Sequence, residues 1–303
     1  MKAAEMPGTR REMLEMKCSH RTGGFSAVKR MVFWLALGLS FIAAGSSAFS
    51  QNILGLAERP PRTSEVAEAL DKARWNRLEP GLDYISVATA LGVRLSAYRI
   101  SPEQFAFSVV QQNVATGETA ASIARREAAV IAVNGGFFAK AVNGTLKPVG
   151  QLVDDGAAVS APWPSDGGIL RLEATGPVIV PTREDFLNAP FEAIQSRPVL
   201  IEPGKQWALR SNLGNLNSRT LVCLLADNQV LIVLVSGQGL SLFEAGWLLR
   251  GENWGGWFDC DSAIALDGGG STQLYVADYP EMAIDGATPV QNALVVKRKQ
   301  VLQ

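Results

Sequence analysis

Ala263-Ile-Ala-Leu-Asp-Gly-Gly-Gly-Ser-Thr272 decides how this 303-residue chain is read. The apolar run that opens it, closed by glycine, has the length and composition of a buried strand. Such a strand holds Asp267 at its carboxyl end. Behind it, Gly268, Gly269 and Gly270 leave the backbone angles open and put no side chains in the way. Consecutive N–H groups in such a turn can form an anion-binding concavity. Ser271 and Thr272 add two hydroxyls. A carboxylate beside an anion cradle suits the cutting of a bond next to a phosphate. A Gly-rich turn with a solvated Asp accounts for the same residues equally well.

Composition narrows the chemistry. The single histidine, His20, lies upstream of an apolar segment that begins at Met31. If that segment is removed, the remaining chain has no histidine. Ser-His-Asp and Cys-His nucleophile systems and histidine-ligated metals are then excluded. Acid and base work falls to carboxylates, Lys, Tyr or Cys. The formal net charge of -1 gives no nucleic-acid footprint, so none is expected as a partner. No ligand set specifies a metal, and no cofactor is expected. A calcium ion held by Asp and backbone oxygens cannot be read from spacing.

A basic stretch ends at Lys29-Arg30, an apolar run spans Met31 to Gly45, and small residues follow through Ser50. Residues 1–50 therefore read as a secretory signal, with Ala48 and Ser50 at the small positions before Gln51. The alternative is an uncleaved N-terminal anchor, because the apolar run approaches spanning length. That anchor would be the one membrane contact. The location expected is the periplasm or the exterior. Cys18 leaves with a cleaved signal, and Cys223 and Cys260 remain. An oxidising compartment allows a disulfide between them, and two unlinked thiols fit the sequence equally well.

Residues 51–74 read as a linker and the start of a helix that spans Thr63 to Leu78 and ends at Pro80-Gly81. Strands are expected at Tyr84–Thr89, Leu95–Ile100, Phe105–Gln111, Ala129–Val133, Ile169–Leu172, Pro177–Val180 and Ala287–Val296. A hairpin is expected at Thr220–Leu225 and Val230–Val235, around Asp227-Asn228. Thr116 to Ala128 reads as a helix. So does Ser241 to Leu249, opened by the capping box Ser241-Leu-Phe-Glu244. The fold class expected is α+β: a single mixed, strand-rich domain over residues 75–298 with a few helices packed on the sheet.

Val133-Asn134-Gly135-Gly136-Phe137-Phe138 is a second apolar strand ended by a polar residue and glycines. Further segments lie in a fixed order around these two. They are Trp75, Pro80-Gly81-Leu82, Gly150-Gln-Leu-Val-Asp-Asp-Gly156, Gln195-Ser-Arg-Pro198, Arg219-Thr220, Gly239-Leu-Ser-Leu-Phe-Glu-Ala245 and Pro289-Val-Gln-Asn-Ala-Leu294. The series resembles the phosphodiester glycosidase family, which includes the domain of the mannose-6-phosphate uncovering enzyme. The resemblance implies release of a sugar joined through its anomeric oxygen to a phosphodiester. It implies a phosphorylated carbohydrate or glycan as partner, in bacterial relatives often an exopolysaccharide. Two departures from the pattern stand out. Arg197 stands where the family usually has Gly, and Leu221, Val222 and Cys223 stand where Ala and Gly are common.

Asp267 is the first candidate for chemistry, since glycoside cleavage runs through an oxocarbenium-like transition state that carboxylates serve. A structural Asp bonded to its own turn is the alternative. Arg219 is the candidate for phosphate, because its planar fork suits bidentate contact; a surface ion pair is its commoner fate. Asn134 is expected to bind a sugar hydroxyl or to orient Asp267. Gly135, Gly136, Gln195, Ser196, Gly268, Gly269, Gly270, Ser271 and Thr272 are expected to line the substrate. Glu244 is explained by its capping box. Asp154 and Asp155 read as solvated turn residues. Phe137 and Phe138 read as core. Trp254 and Trp257, in a Gly-rich loop, read as a pocket rim.

The function expected is hydrolysis of sugar-1-phosphodiesters, in an envelope or exopolysaccharide glycan. The alternative is a non-catalytic glycan-binding or exopolysaccharide-assembly factor on the same fold. Transfer of the sugar to an acceptor hydroxyl is a third outcome.

Overall fold

The computed structural model describes residues 59–164, 167–181, 191–203, 209 and 211–300. The signal at residues 1–50 and most of the expected linker lie outside these. Every strand pairing among the described residues is antiparallel. The largest sheet has seven strands in the order Asn76–Glu79, Leu82–Ala88, Val93–Ile100, Val230–Leu240, Asn217–Leu225, Cys260–Ala265, Val199–Ile201. A four-stranded sheet runs Leu274–Val276, Ile131–Asn134, Asn292–Arg298, Phe105–Gln111. A five-stranded sheet runs Gly176–Pro181, Gly168–Glu173, Glu192–Ser196, Leu152–Asp154, Ala157–Ser160. Phe138–Lys140 and Leu146–Pro148 form a small ribbon.

Strand alternation sorts the side chains into layers. In Asn217–Leu225, Val222 faces one core, while Leu221 and Cys223 face the other. The first core joins Val222, Ile232 and Ile264 of the seven-stranded sheet to Ile131, Val133 and Leu294 of the four-stranded sheet, and to Leu170 and Ile194 of the five-stranded sheet. The second core lies on the opposite face, under the helices Pro61–Lys72 and Leu242–Leu249, which supply Val66, Leu70, Ala245 and Leu248. A third helix, Ala120–Arg126, packs Ile123 and Ala124 on the outer side of the four-stranded sheet, against Ala132, Ala293 and Val295. Two sheets are thus packed face to face and flanked by helices, the α+β class expected. Each fully buried aliphatic side chain contributes about 1.5–3 kcal/mol to holding these layers.

Several boundaries differ from those expected, and the hairpin strand expected at Val230–Val235 runs on to Leu240. The first helix stops at Lys72, where Ala73 turns extended, and Asn76–Glu79 is an edge strand. Trp75 and Leu78 keep the apolar spacing, but Trp75 packs on the second core beneath the Arg99 guanidinium, 4.6 Å from its ring centre. The second helix starts only at Ala120, with the Thr119 side chain accepting from Ser122 N. The final strand starts at Asn292, because Val290 instead bridges to Glu118.

Cys223 and Cys260 form a disulfide between neighbouring strands, with Cα atoms 5.7 Å apart. Both are buried in the second core. Loss of this link, by Cys223→Ser or by reduction, is expected to lower unfolding free energy by about 2–4 kcal/mol. Urea titrations with and without reductant measure this, and coincident curves would show that the disulfide contributes nothing.

Candidate active site

The two glycine turns meet where the two large sheets end. Asn134 closes the strand Ile131–Asn134, and Asp267 follows the strand Cys260–Ala265. Asp267 N donates to Gly135 O at 3.2 Å, and Leu266 N donates to Thr220 O at 2.9 Å. Asn134, fully buried, locks the junction. Its Nδ2 donates to Asp267 O at 2.6 Å. Its Oδ1 accepts from Thr220 Oγ1 at 2.6 Å and from Gln273 N at 3.2 Å. Gln273 is fixed in turn, accepting from Ala120 N at 2.9 Å and donating to Thr288 O at 2.8 Å. Asn134 thus touches Asp267 through the backbone carbonyl of that residue.

Gly135 leaves no room for any other residue. A Cβ there would lie 1.8 Å from Asn292 Oδ1. Asn292 O accepts from Gly135 N at 2.9 Å, and its Oδ1 accepts from Gly136 N at 2.8 Å. Asn292 Nδ2 continues to Gln291, which bonds Gln111, whose own amide reaches Asp154. Asp154, read from the sequence as solvated, is therefore half-buried and bonded, because it lies in the strand Leu152–Asp154; only Asp155 is exposed.

At the Asp267 side, Gly268 N donates to Asp267 Oδ1 at 2.9 Å, and the Ser271 side chain hydrogen-bonds the same carboxylate. Burial pushes the Asp267 carboxyl above its ordinary value, and the Ser271 and Gly268 bonds partly oppose the shift. Ser271 N and Thr272 N close a tight turn on the Gly268 and Gly269 carbonyls. The amides of Gly269 and Gly270 are not used in these bonds. Gly270 O accepts from Ala287 N and Thr288 N at 2.8 and 3.2 Å. The Thr272 hydroxyl is buried without a hydrogen-bond partner among the described residues.

Arg219 lies directly against this turn. A Cβ on Gly268 would meet Ser218 O at 2.8 Å and Arg219 Cδ at 3.8 Å. Arg219 Nε donates to Leu240 O at 2.9 Å and Nη2 to Asn215 O at 2.5 Å. Burial lowers its pKa, and the Glu244 carboxylate partly restores it. Glu244 itself closes the capping box with Ser241, as the sequence predicts.

Gln195 and Ser196 are buried behind the site. Gln195 Oε1 accepts from Gln151 N and Trp163 N at 2.7 and 2.8 Å, and its Nε2 donates to Trp163 O at 2.6 Å. Ser196 Oγ donates to Ala265 O at 2.6 Å, bracing the strand that carries Asp267. Arg197 is exposed and stacks its guanidinium 4.0 Å from the Trp163 ring centre.

Asp267, Ser271, Arg219 and Gly268 to Gly270 thus share one neighbourhood, with Asn134, Gly135, Gly136 and Ser196 supporting it. Thr220, Gln273 and Asn292 belong to the support and were not singled out from the sequence. Their signal is burial of polar side chains, which a sequence does not display. Trp254 and Trp257 do not rim this site. They precede Cys260, at the far end of the strand, about 20 Å away at the usual rise per residue. Trp257 donates to Asp71 at 2.9 Å and packs edge-on against Phe258. Phe137 and Phe138 are half-buried; Phe138 packs against the third core.

Replacing Asn134 with Ala strands the Thr220 hydroxyl, Gln273 N–H and Asp267 carbonyl in a buried seam. The expected loss is about 2–4 kcal/mol with an unchanged denaturant slope. A loss below about 0.5 kcal/mol in urea would show that the clasp does not hold the junction.

The family model described as phosphodiester glycosidase matches residues 127–297, more than half of the chain. No curated protein matches it. Among solved structures, a hypothetical protein from Synechocystis is similar at 15% identity and TM-score 0.55, over 75% of this chain and 64% of that one. The chain therefore spans less than two thirds of that protein's length. The auto-inhibited catalytic domain of zebrafish N-acetylglucosamine-1-phosphodiester alpha-N-acetylglucosaminidase is similar at 17% identity and TM-score 0.53, over 74% and 86%. At these identities the likeness is one of fold. With the matched span covering both glycine turns and the strand of Arg219 between them, this chain belongs to the phosphodiester glycosidase family.

Proposed function

We propose that the chain hydrolyses the glycosidic bond of sugar-1-phosphodiesters in an envelope or exopolysaccharide glycan, after export to the periplasm or beyond. The observation that carries this reading is the Asp267 carboxylate, half-buried at a strand end and held by Gly268 N–H and Ser271, with the stem of Arg219 against the Gly268 turn. Water adds to the anomeric carbon as the bond from that carbon to the phosphate oxygen breaks. The bonding pair leaves on the oxygen, giving a phosphomonoester and a free sugar. The water proton passes to Asp267 or to solvent. Asp267 in its ionised form stabilises the positive charge that develops on the sugar ring. Arg219 has N–H groups beyond the two given to Leu240 and Asn215, and these bind the phosphate. A phosphate is a good leaving group, so one carboxylate suffices without a strong general acid.

Turnover of a panel of sugar-1-phosphodiesters tests the reading. Release of free sugar is expected from the wild type, with Asp267→Asn reducing kcat at least about 100-fold. Arg219→Ala is expected to reduce kcat/KM about 10–100-fold, chiefly on the phosphodiester. Full activity in Asp267→Asn would overturn the assignment of Asp267. Glycan binding with no release by any protein would favour the non-catalytic binding function.

The raised Asp267 pKa gives a second check. If the ionised form acts, kcat/KM rises with pH through a midpoint above about 3.9. For stability the sign is opposite. The folded state holds the proton more tightly, so this group's contribution falls as pH rises from about 3.9 through the raised folded value. Asp267→Asn is therefore expected to melt no lower than wild type at neutral pH while losing activity. A clear drop in melting temperature would assign Asp267 a structural role.

A further inference from the structure

A groove of about 360 Å³ opens on the inner face of the seven-stranded sheet, lined by none of the residues assigned above. Its floor is built by register. Tyr84 pairs with Tyr98, Ser86 with Ser96 and Ala88 with Arg94 across two strands. Arg94 then pairs with Ser236 on the next strand. Farther along the same face these strands present Leu82, Ile100, Ile232 and Leu234 to the core. On the opposite face they stay apolar to their ends, with Val87, Leu95 and Val235 in the second core. The change to Ser, Ser, Arg and Ser is therefore confined to one face at one end. That end is not simply open to water, because residues Glu281 to Ile284, after the Pro280 turn, wall it.

The chemistry of the lining is specific. Tyr84 is half-buried, stacked on Tyr98 with ring centres 6.3 Å apart, and offers a flat apolar surface. The hydroxyls of Ser86 and Ser236 can donate and accept along it, while the Ser96 side chain hydrogen-bonds Tyr98. Arg94 and Glu281, both exposed, add one cation and one anion to the lining. With one charge of each sign, the lining carries no net charge that would favour a small anion or a small cation. A neutral ligand with an apolar ring face and many hydroxyls satisfies all of these groups at once, and the volume lies in the range of small-molecule sites. We infer that this groove binds a neutral saccharide chain, through residues distinct from Asp267 and Arg219.

The test is electrophoresis of the folded protein in native gels cast with dextran, galactomannan or hydroxyethyl cellulose, and with alginate as the anionic comparison. Retardation by at least one neutral polysaccharide is expected, with Tyr84→Ala and the groove-filling Ser86→Trp each weakening it at least tenfold, a loss of about 1.4 kcal/mol. Ser86 is exposed, so Ser86→Trp is expected to fold, and its melting curve checks this. Asp267→Asn is expected to be retarded like wild type. The inference is overturned by no retardation in any neutral gel, or by retardation that both groove variants retain. It is equally overturned by binding to alginate alone that disappears with Arg94→Ala. The outcome is separate from that of the turnover assay, since binding is read without catalysis.

Discussion

Everything at the candidate site depends on how two sheets are pinned at their ends, and a buried amide makes the most bonds there. Hydrophobic burial is non-directional: it drives the seven- and four-stranded sheets together without fixing how one end sits on the other. Asn134 supplies the direction. It bonds the Asp267 carbonyl on one sheet's exit, the Thr220 hydroxyl on the neighbouring strand, and the Gln273 amide just past the glycine turn. In a low-dielectric seam each of these groups would be costly unpaired, so any slippage of one sheet end loses several bonds together. The position of Asp267 is thereby fixed from its backbone, and its carboxylate is left for other work.

The close approaches around this seam explain why the turns are glycine. Gly135 is pressed on Asn292, and Gly268 on Ser218 O and the Arg219 stem. Side chains here would push the sheets apart or displace Arg219. Ser196 adds a brace from the five-stranded sheet to Ala265. Three sheets thus converge on one short strand end.

The sequence made the strands legible where apolar runs were bounded by turn residues. Phe105–Gln111 and the hairpin around Asp227-Asn228 have the expected places. It misled where a periodic signal outran its cause: Trp75 and Leu78 continue the helical spacing, yet the chain has already turned at Ala73. Adjacency misled at Trp254 and Trp257, which precede the Asp267 strand in sequence and lie at its other end in space. The task of Asn134 was only half legible. A polar residue ending a strand is visible, but its partners lie 86 to 139 residues away. The supporting roles of Gln273 and of Asn292, which lies within the Pro289–Leu294 segment, were hidden for the same reason, because burial of a polar side chain is a property of the assembled sheets.

The charges at the site carry the last step of the argument. Among the described residues neither Asp267 nor Arg219 forms an ion pair. Asp267 is held by an amide and a hydroxyl, and Arg219 by two backbone carbonyls, with Glu244 tied into its capping box. Paired with each other, the two would neutralise most of the field each can exert. Bonded to neutral groups instead, both bear the cost of burial, which raises the carboxyl pKa and lowers that of the guanidinium. A folded protein gains nothing from this arrangement in stability. A substrate that brings a phosphate to the cation and develops positive charge beside the carboxylate would offset both costs, most fully in the transition state.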